Sequence, residues 1–238
     1  MKILGLHFYQ LNGRLMIKKI FFAGFFVLPL FSQGLNHSEK IVIKRNALGL
    51  KLSGEIDYRT NETGLYHRHY DLGTAFSLGE TWTANIQFRS VYRMKDGQWK
   101  LEKRPHGQIQ KTLNTDAVKW TIKSRQEYRI RVGQSNAMRN RFRIMGKSNR
   151  AWKNLKPYIA NEFFYDMDKK EYNKNWIMIG FDLTKSKIGL PSIYYKYVTD
   201  LVDGKWVSTY MMVFKVTCLL YTSPSPRDLS TSRMPSSA

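Results

Sequence analysis

A period-two run of charged side chains is the feature of this sequence that could do chemistry. In Ala117–Arg131, AVKWTIKSRQEYRIR, six of the seven odd-numbered positions from Lys119 onward are charged, and the even-numbered positions are mostly apolar. Such alternation places the two sets on opposite faces of a β-strand. The charged face is too polar for a packed core, and the strand is long for a small soluble sheet. A strand between lipid and a wet lumen accounts for both features.

The same alternation in the following segments defines a predicted set of lumen-facing side chains. These are Lys119, Lys123, Arg125, Glu127, Arg129, Arg131, Arg139, Arg141, Arg143 and Glu162. An excess of positive charge in a low-dielectric surround attracts anions, so one interpretation is an anion-binding cavity. The other is a lumen filled by Arg–Glu pairs, which the small bore of a barrel of this size favours.

Two further groups of residues have the right chemistry for metal binding. His67 and His69 share a strand face, but the sequence offers no obvious third ligand, so we expect a solvated pair near an outer loop. Asp166, Asp168 and Glu171 could bind a hard cation, yet neighbouring lysines offset their charge. We therefore predict no metal site and no cofactor.

A hydrolase acting on lipid would need a nucleophile with an adjacent base. Ser53, Ser77, Ser124 and His106 are available, but nothing in their spacing pairs them. The sequence also contains no glycine-rich phosphate loop, zinc pattern or catalytic triad signature. We predict no catalytic residues and a protein that is not an enzyme.

The beginning of the chain carries an export signal. Residues 16–34, MIKKIFFAGFFVLPLFSQG, combine a basic start, a short apolar run and small residues at a plausible cleavage site, as in a secretory signal peptide. Residues 1–15 precede this signal and are predicted to be a spurious upstream extension. The formal charge of the whole chain is +21, of which about +16 lies in residues 35–217. For an exported chain this favours small anions or anionic lipid over nucleic acid.

The other end of the chain has a different character. Residues 218–238 resemble the translation of a transposase sequencing adapter, and we interpret them as an artefactual or disordered tail. The only cysteine, Cys218, falls in that tail. Residues 35–46 are predicted to be a polar lead-in, and residues 47–217 the folded domain.

Between residues 47 and 217 the pattern predicts about ten β-strands joined by short turns, with no convincing helical periodicity. An even number of alternating strands is typical of single-chain outer-membrane barrels. The predicted fold is therefore all-β: a single antiparallel up-and-down transmembrane β-barrel.

Aromatic side chains are spaced like the two girdles of such a barrel. Trp82 and Tyr92 share a face ten residues apart, and Trp120 and Tyr128 eight residues apart, which corresponds to roughly 20–25 Å along the membrane normal. The predicted girdle residues are Trp82, Tyr92, Trp120, Tyr128, Trp206 and Tyr210. Outer-membrane lipid is the partner that this spacing predicts.

Three motifs give the chain a family resemblance: Trp120 followed by Arg125-Gln126-Glu127-Tyr128, the run Arg139-Asn140-Arg141-Phe142-Arg143, and KPYIANEF at residues 156–163. With the strand order, they resemble a bacterial outer-membrane family catalogued as domain of unknown function 2490. The resemblance implies a β-barrel in the Gram-negative outer membrane and no activity.

The expected role is structural, or that of a narrow anion-preferring pore with a basic lumen, with small anions or lipopolysaccharide as partners. The alternatives are a lipid-modifying outer-membrane enzyme and a secreted soluble barrel that binds an anionic ligand.

Overall fold

Eleven β-strands form the described part of the chain, which in this computed structural model comprises residues 35–47, 50–184 and 189–220. They are β1 Leu35–Ala47, β2 Leu50–Asn61, β3 Gly64–Ser77, β4 Trp82–Lys95, β5 Gln98–Asn114, β6 Val118–Arg131, β7 Ala137–Ser148, β8 Leu155–Asp166, β9 Glu171–Leu183, β10 Leu190–Val202 and β11 Lys205–Leu220. The predicted upstream extension, the signal peptide and residues 221–238 lie outside the described residues. The described ranges contain no helix that could cross a bilayer.

The strands close into one barrel in chain order. Each strand from β1 to β11 pairs antiparallel with the next, and the barrel closes where β11 pairs with β1. That closing pair is parallel, with Leu35 beside Tyr210 and Ile41 beside Val216. The prediction of an all-β barrel is confirmed, with one strand more than the expected ten and one parallel seam in an otherwise antiparallel meander.

The additional strand is β1, which covers the segment that we expected to be a polar lead-in. On its outward face the apolar residues Leu35, Ile41 and Ile43 are interrupted by His37, Glu39 and Arg45, so the alternation is weak. Backbone hydrogen bonding stabilises β1 despite this weak pattern, because the strand forms ladders with β2 on one side and β11 on the other. The strand β11 also continues through residues 218–220, the first three residues of the predicted tail.

The connections fall at two ends of the barrel, as alternation along a meander requires. One end, which we call the Gly79 end, carries residues 78–81, 115–117 and 149–154; the other, the Gly97 end, carries residues 62–63, 96–97, 132–136, 167–170 and 203–204. Gly79 has a φ of +92°, which explains a glycine at that turn. Because the strand number is odd, Leu35 lies at the Gly97 end and Leu220 at the Gly79 end.

Pro105 lies within β5 without shifting its register. The register of β5 with β4 runs unbroken through Phe88 and Pro105. On the other side, pairing with β6 simply omits Arg104 and Pro105 and resumes in the same register at His106. The missing N–H of proline therefore leaves a gap in one ladder without inserting a residue.

The two faces of the barrel differ in polarity. Large apolar side chains are exposed on the outside; Leu72 is 71% and Ile86 65% exposed. Inside, a small apolar cluster lies on β8–β11, where Ala160, Met178 and Val213 are buried together. The rest of the interior is lined by polar and charged side chains, and these form the candidate site.

Candidate functional site: the charged barrel interior

The carboxylate of Glu127 is the centre of the largest ion-pair cluster. It is fully buried, and it accepts hydrogen bonds from Arg139 and, at 2.7 Å, from Arg141. Arg125 lies 3.6 Å away. The sheet register produces this arrangement, since Glu127 stands opposite Arg139 and Arg125 opposite Arg141 on the same inward face of β6 and β7. A carboxylate buried among several guanidinium groups is held in its ionised form only by such pairing.

Glu162 of β8 extends the cluster along the barrel wall. Its carboxylate forms ion pairs with Arg143 at 2.7 Å and with Arg141 at 2.8 Å. Arg141 therefore bridges Glu127 and Glu162. The planar guanidinium can donate to two acceptors at once, which lysine does less well. Three neighbouring strands are thereby joined through their inward side chains.

A second cluster lies on the opposite wall, between β1 and β2. Asp57 is fully buried and binds Arg59 at 3.0 Å, Lys40 at 3.2 Å and the hydroxyl of Ser38 at 2.8 Å. Lys40 also reaches Glu55 at 3.1 Å. The pairing of β1 with β2 thus places lysine and carboxylates on facing positions.

Two smaller groups of ion pairs lie on β3–β6. Arg89 donates to Asp71 at 2.7 Å, joining β4 to β3. Glu102 of β5 binds both Arg104 at 2.9 Å and Arg129 of β6. These groups lie between the two clusters, so that carboxylates paired with cations are spread around the interior.

The histidines do not form the solvated pair that we predicted. His67 and His69 are buried on the inward face of β3, and their rings are joined by a hydrogen bond of 3.2 Å between Nε2 and Nδ1. The Nε2 atom of His69 lies 2.8 Å from Glu55, which links the pair to the second cluster. Among the described residues, no group of three or more histidine, cysteine or acidic side chains is arranged to hold a metal ion.

Two cavities divide the interior. The larger, about 320 Å³ and on the side of the Gly79 end, we call the Lys123 cavity; the smaller, about 40 Å³ and on the side of the Gly97 end, we call the His67 cavity. Four side chains line both cavities and so form the partition between them: Arg59, Arg89, Arg141 and Trp176. The indole of Trp176 is surrounded by cations, with Lys196 4.3 Å and Arg141 5.1 Å from its ring centre.

Cations outnumber acids around the Lys123 cavity. Ten of its lining residues are lysine or arginine, whereas Glu55 and Asp71 are the only acidic residues among those lining it in the described chain. Both carboxylates are already engaged by cations of the network. Three of the lining lysines, Lys44, Lys123 and Lys215, have neither an ion pair nor a side-chain hydrogen bond to any described residue. Lys44 is exposed, whereas Lys123 and Lys215 are partly buried.

The predicted lumen-facing residues therefore separate into groups. Five are joined in the Glu127 and Glu162 clusters: Glu127, Arg139, Arg141, Arg143 and Glu162. Arg125 and Lys123 line the cavity, and Arg129 pairs with Glu102. The remaining two lie at the ends of β6: Lys119 is exposed at the Gly79 end, and Arg131 donates to the backbone carbonyl of Ser135 at 2.9 Å.

Several interior residues escaped the sequence analysis. Lys40 and Lys215 belong to the β1–β11 seam, and β1 was not recognised as a strand. Trp176 and Lys196 stand at inward positions of β9 and β10, where alternation with Ile177 and Tyr195 was available as a signal. Glu55, Asp57 and Asp71 also alternate with apolar residues, so alternation indicated inward positions on β2 and β3 as well.

On the outer face, the six predicted girdle residues all lie on outward positions. Trp82 and Trp120 lie near the Gly79 end, and Tyr92 and Tyr128 near the Gly97 end, as do Trp206 and Tyr210. Outward-facing Arg68 packs its guanidinium over the rings of Tyr92 at 5.1 Å and Trp99 at 4.6 Å. At the other end Lys111 lies 5.2 Å from the ring of Trp82. Basic side chains thus accompany the aromatic rings at both rims.

A broad groove also lies on the outer face, close to the Gly97 end. It encloses about 780 Å³ and is lined by Asn140, Phe142, Phe163, Tyr165, Tyr172, Lys174, Asn175 and Trp206. Its walls are largely aromatic. Asn175 and Asn161 hydrogen-bond to each other beside it, which satisfies their amides on this apolar surface.

Comparison with known proteins identifies one family. The family model described as "Protein of unknown function (DUF2490)" matches residues 39–200. No curated protein and no solved structure matches the chain.

Proposed function

This chain belongs to the DUF2490 family of proteins of unknown function, and from that premise we propose that it is an outer-membrane β-barrel with a narrow interior that favours small anions. The observation that carries the proposal is the continuous exposure of large apolar side chains around the barrel, with Leu72 at 71% and Ile86 at 65%. Soluble monomers rarely expose apolar surface on this scale. Lipid is the environment in which such a surface is stable, and a closed barrel satisfies its backbone hydrogen bonds there.

Two further features support a membrane location. The aromatic residues collect near the two rims, at the level where headgroups meet the acyl chains. Two of the outward cations, Arg68 and Lys111, also lie there, packed on aromatic rings, and so avoid the bilayer centre, where an arginine costs about 2–4 kcal/mol. Export by the predicted signal peptide would deliver the chain to the periplasm.

The preference for anions follows from the interior. The Lys123 cavity has ten basic and two acidic lining residues, so an anion entering it meets favourable potential and a cation meets repulsion. The partition of Arg59, Arg89, Arg141 and Trp176 narrows the path to the His67 cavity. We therefore expect passage of small ions at most, with a small unit conductance.

The proposal is tested on the purified protein in two steps. Refolding into detergent, followed by electrophoresis with and without boiling, should give a heat-dependent mobility shift, and cell fractionation should place the protein in the outer membrane. In planar bilayers under a potassium chloride gradient, the reversal potential should indicate chloride selectivity. A protein that stays soluble in plain buffer, or a pore selective for potassium, would contradict the proposal.

A further inference from the structure

Like-charged residues face each other across neighbouring strands in the wall of the Lys123 cavity. Lys123 of β6 lies directly opposite Arg143 of β7, and Lys40 of β1 directly opposite Lys215 of β11. Like charges at directly opposite positions destabilise a sheet. In each pair one member forms an ion pair with a carboxylate: Arg143 with Glu162 at 2.7 Å, and Lys40 with Glu55 at 3.1 Å. The other member, Lys123 or Lys215, has no such partner among the described residues.

Lys123 and Lys215 lie on opposite walls of the same cavity. Five steps around the barrel separate β6 from β11 in one direction, and five separate it from β1 in the other. The β1–β11 seam, which carries Lys215, is therefore across the lumen from Lys123. Both lysines line the 320 Å³ space between these walls.

We propose that the Lys123 cavity is a binding site for a phosphate-class oxyanion, held between Lys123 and Lys215. This inference deepens the proposed function by naming the class of anion, and it rests on that function for the anion's route into the barrel. An ammonium group donates up to three hydrogen bonds and accepts none, so an anion with several oxygens matches two lysines that have no acceptor among the described residues. Phosphate supplies them, and its charge offsets both repulsive pairs at once.

The surroundings fit a multivalent oxyanion better than a halide. Gln108 and Gln110 line the cavity beside the lysines, and the side-chain oxygen of Gln108 already accepts from Arg125 at 2.9 Å. Gln108 therefore still has its amide N–H groups to offer. A volume of about 320 Å³ lies at the lower end of the range for small-molecule pockets, which leaves room for phosphate with a small organic substituent.

The test uses the folded barrel in detergent with sodium phosphate as the probe and sodium chloride of equal ionic strength as the reference. Phosphate should raise the thermal midpoint of the wild-type barrel, and calorimetric titration should give saturable binding. Lys123→Met and Lys215→Met should each weaken phosphate binding at least tenfold. Lys119→Met, a change on the same strand at an exposed position outside the cavity, should leave the binding unchanged.

A second measurement separates a binding role from a structural one. Because each unpaired lysine faces a like charge, Lys123→Met and Lys215→Met should raise the thermal midpoint without phosphate while they abolish its further rise with phosphate. A structural lysine would give the opposite sign, a lower midpoint in chloride. Equal phosphate effects on all variants, or none on the wild type, would overturn the inference.

Mixed micelles containing phosphatidylglycerol distinguish the two sources of a phosphate group. If the lipid competes with free phosphate, and Lys123→Met loses the binding of both, the site binds a lipid headgroup. If only free phosphate stabilises the barrel, the site binds a soluble anion. A barrel with the heat-dependent mobility shift but no phosphate binding refutes only this inference. Phosphate binding by a protein that stays soluble without detergent refutes only the membrane proposal.

Discussion

Glu127 and Arg141 form an ion pair of 2.7 Å between β6 and β7 in the middle of the barrel, where the carboxylate is fully buried. Replacing Glu127 with glutamine would keep the shape of the side chain. It would remove the negative charge that lies beside Arg125, Arg139 and Arg141. We expect Glu127→Gln to lower the free energy of unfolding by about 3–5 kcal/mol, because buried guanidinium groups would lose their counter-charge. Denaturant titration followed by mobility on unboiled gels measures this loss.

The matched control is Glu62→Gln, an exposed loop position without an ion pair in the described chain. Its effect should stay within about 0.5 kcal/mol. Combining Glu127→Gln with Arg141→Met should cost less than the sum of the single changes, because each removes part of the other's unpaired charge. A Glu127→Gln barrel as stable as the wild type would mean that the cluster is not closed in solution.

The parallel seam predicts one specific cross-link. In a Cys218→Ser background, Ile41→Cys and Val216→Cys should form a disulfide on mild oxidation, since these residues are direct partners and neighbouring strands lie about 4.8 Å apart. The measurement is a change in mobility of the denatured chain that reductant reverses.

The control pair is Ile41→Cys with Met212→Cys. Met212 lies four residues before Val216 in β11, which is about 13 Å along the strand. This pair should remain reduced. Cross-linking of neither pair would argue for a ten-strand barrel in which β1 does not close the wall.

Ten of the eleven strands could be predicted because mostly apolar outward positions alternate with polar inward positions. Ile86 and Ile122 are examples of such outward residues. The strand β1 could not, because Glu39 and Arg45 interrupt its outward face, and its place depends on ladders with β2 and β11 rather than on its own pattern. Local alternation carries no information about such long-range pairing.

The candidate site was predictable in composition but not in arrangement. The alternation of β6 indicated that Lys123 and Arg125 face inward, yet which cation meets which carboxylate depends on register, which sequence alone leaves open. The two interpretations of the charged face concern different parts of the interior, and anion binding stays a prediction. Arg–Glu pairs fill its middle, while a cavity lined by unpaired Lys123 and Lys215 remains beside them.

Gly180 is required by the close approach of β10. A Cβ atom at this position would overlap the carbonyl oxygen of Ile193 and the Cβ of Tyr194. We expect Gly180→Ala to destabilise the barrel by roughly 1–3 kcal/mol, as overpacking does elsewhere. Gly107→Ala is the control, because nothing lies within 4 Å of its Cβ position. Equal stability of the two variants would show that β9 and β10 lie further apart than described here.

A charge on the outer face should block membrane insertion at one position and be tolerated at another. Leu72→Arg places a cation in the middle of the apolar belt and should cost about 2–4 kcal/mol in a bilayer. Val132→Arg lies in a loop of the Gly97 end, where the side chain is 81% exposed, and should insert like the wild type. Folded fractions in lipid vesicles, from unboiled gels, give the comparison; identical yields would contradict a lipid-facing belt.

The most direct test of the membrane account is the environment of residue 72. In the Cys218→Ser background, Leu72→Cys labelled with an environment-sensitive fluorophore and refolded into vesicles should emit as in an apolar medium. Lipids with a quencher deep in the acyl chain should quench it more strongly than lipids with a quencher at the headgroup. Water-like emission at residue 72, unaffected by either lipid, would contradict the account and leave the apolar face to be covered by something other than a bilayer.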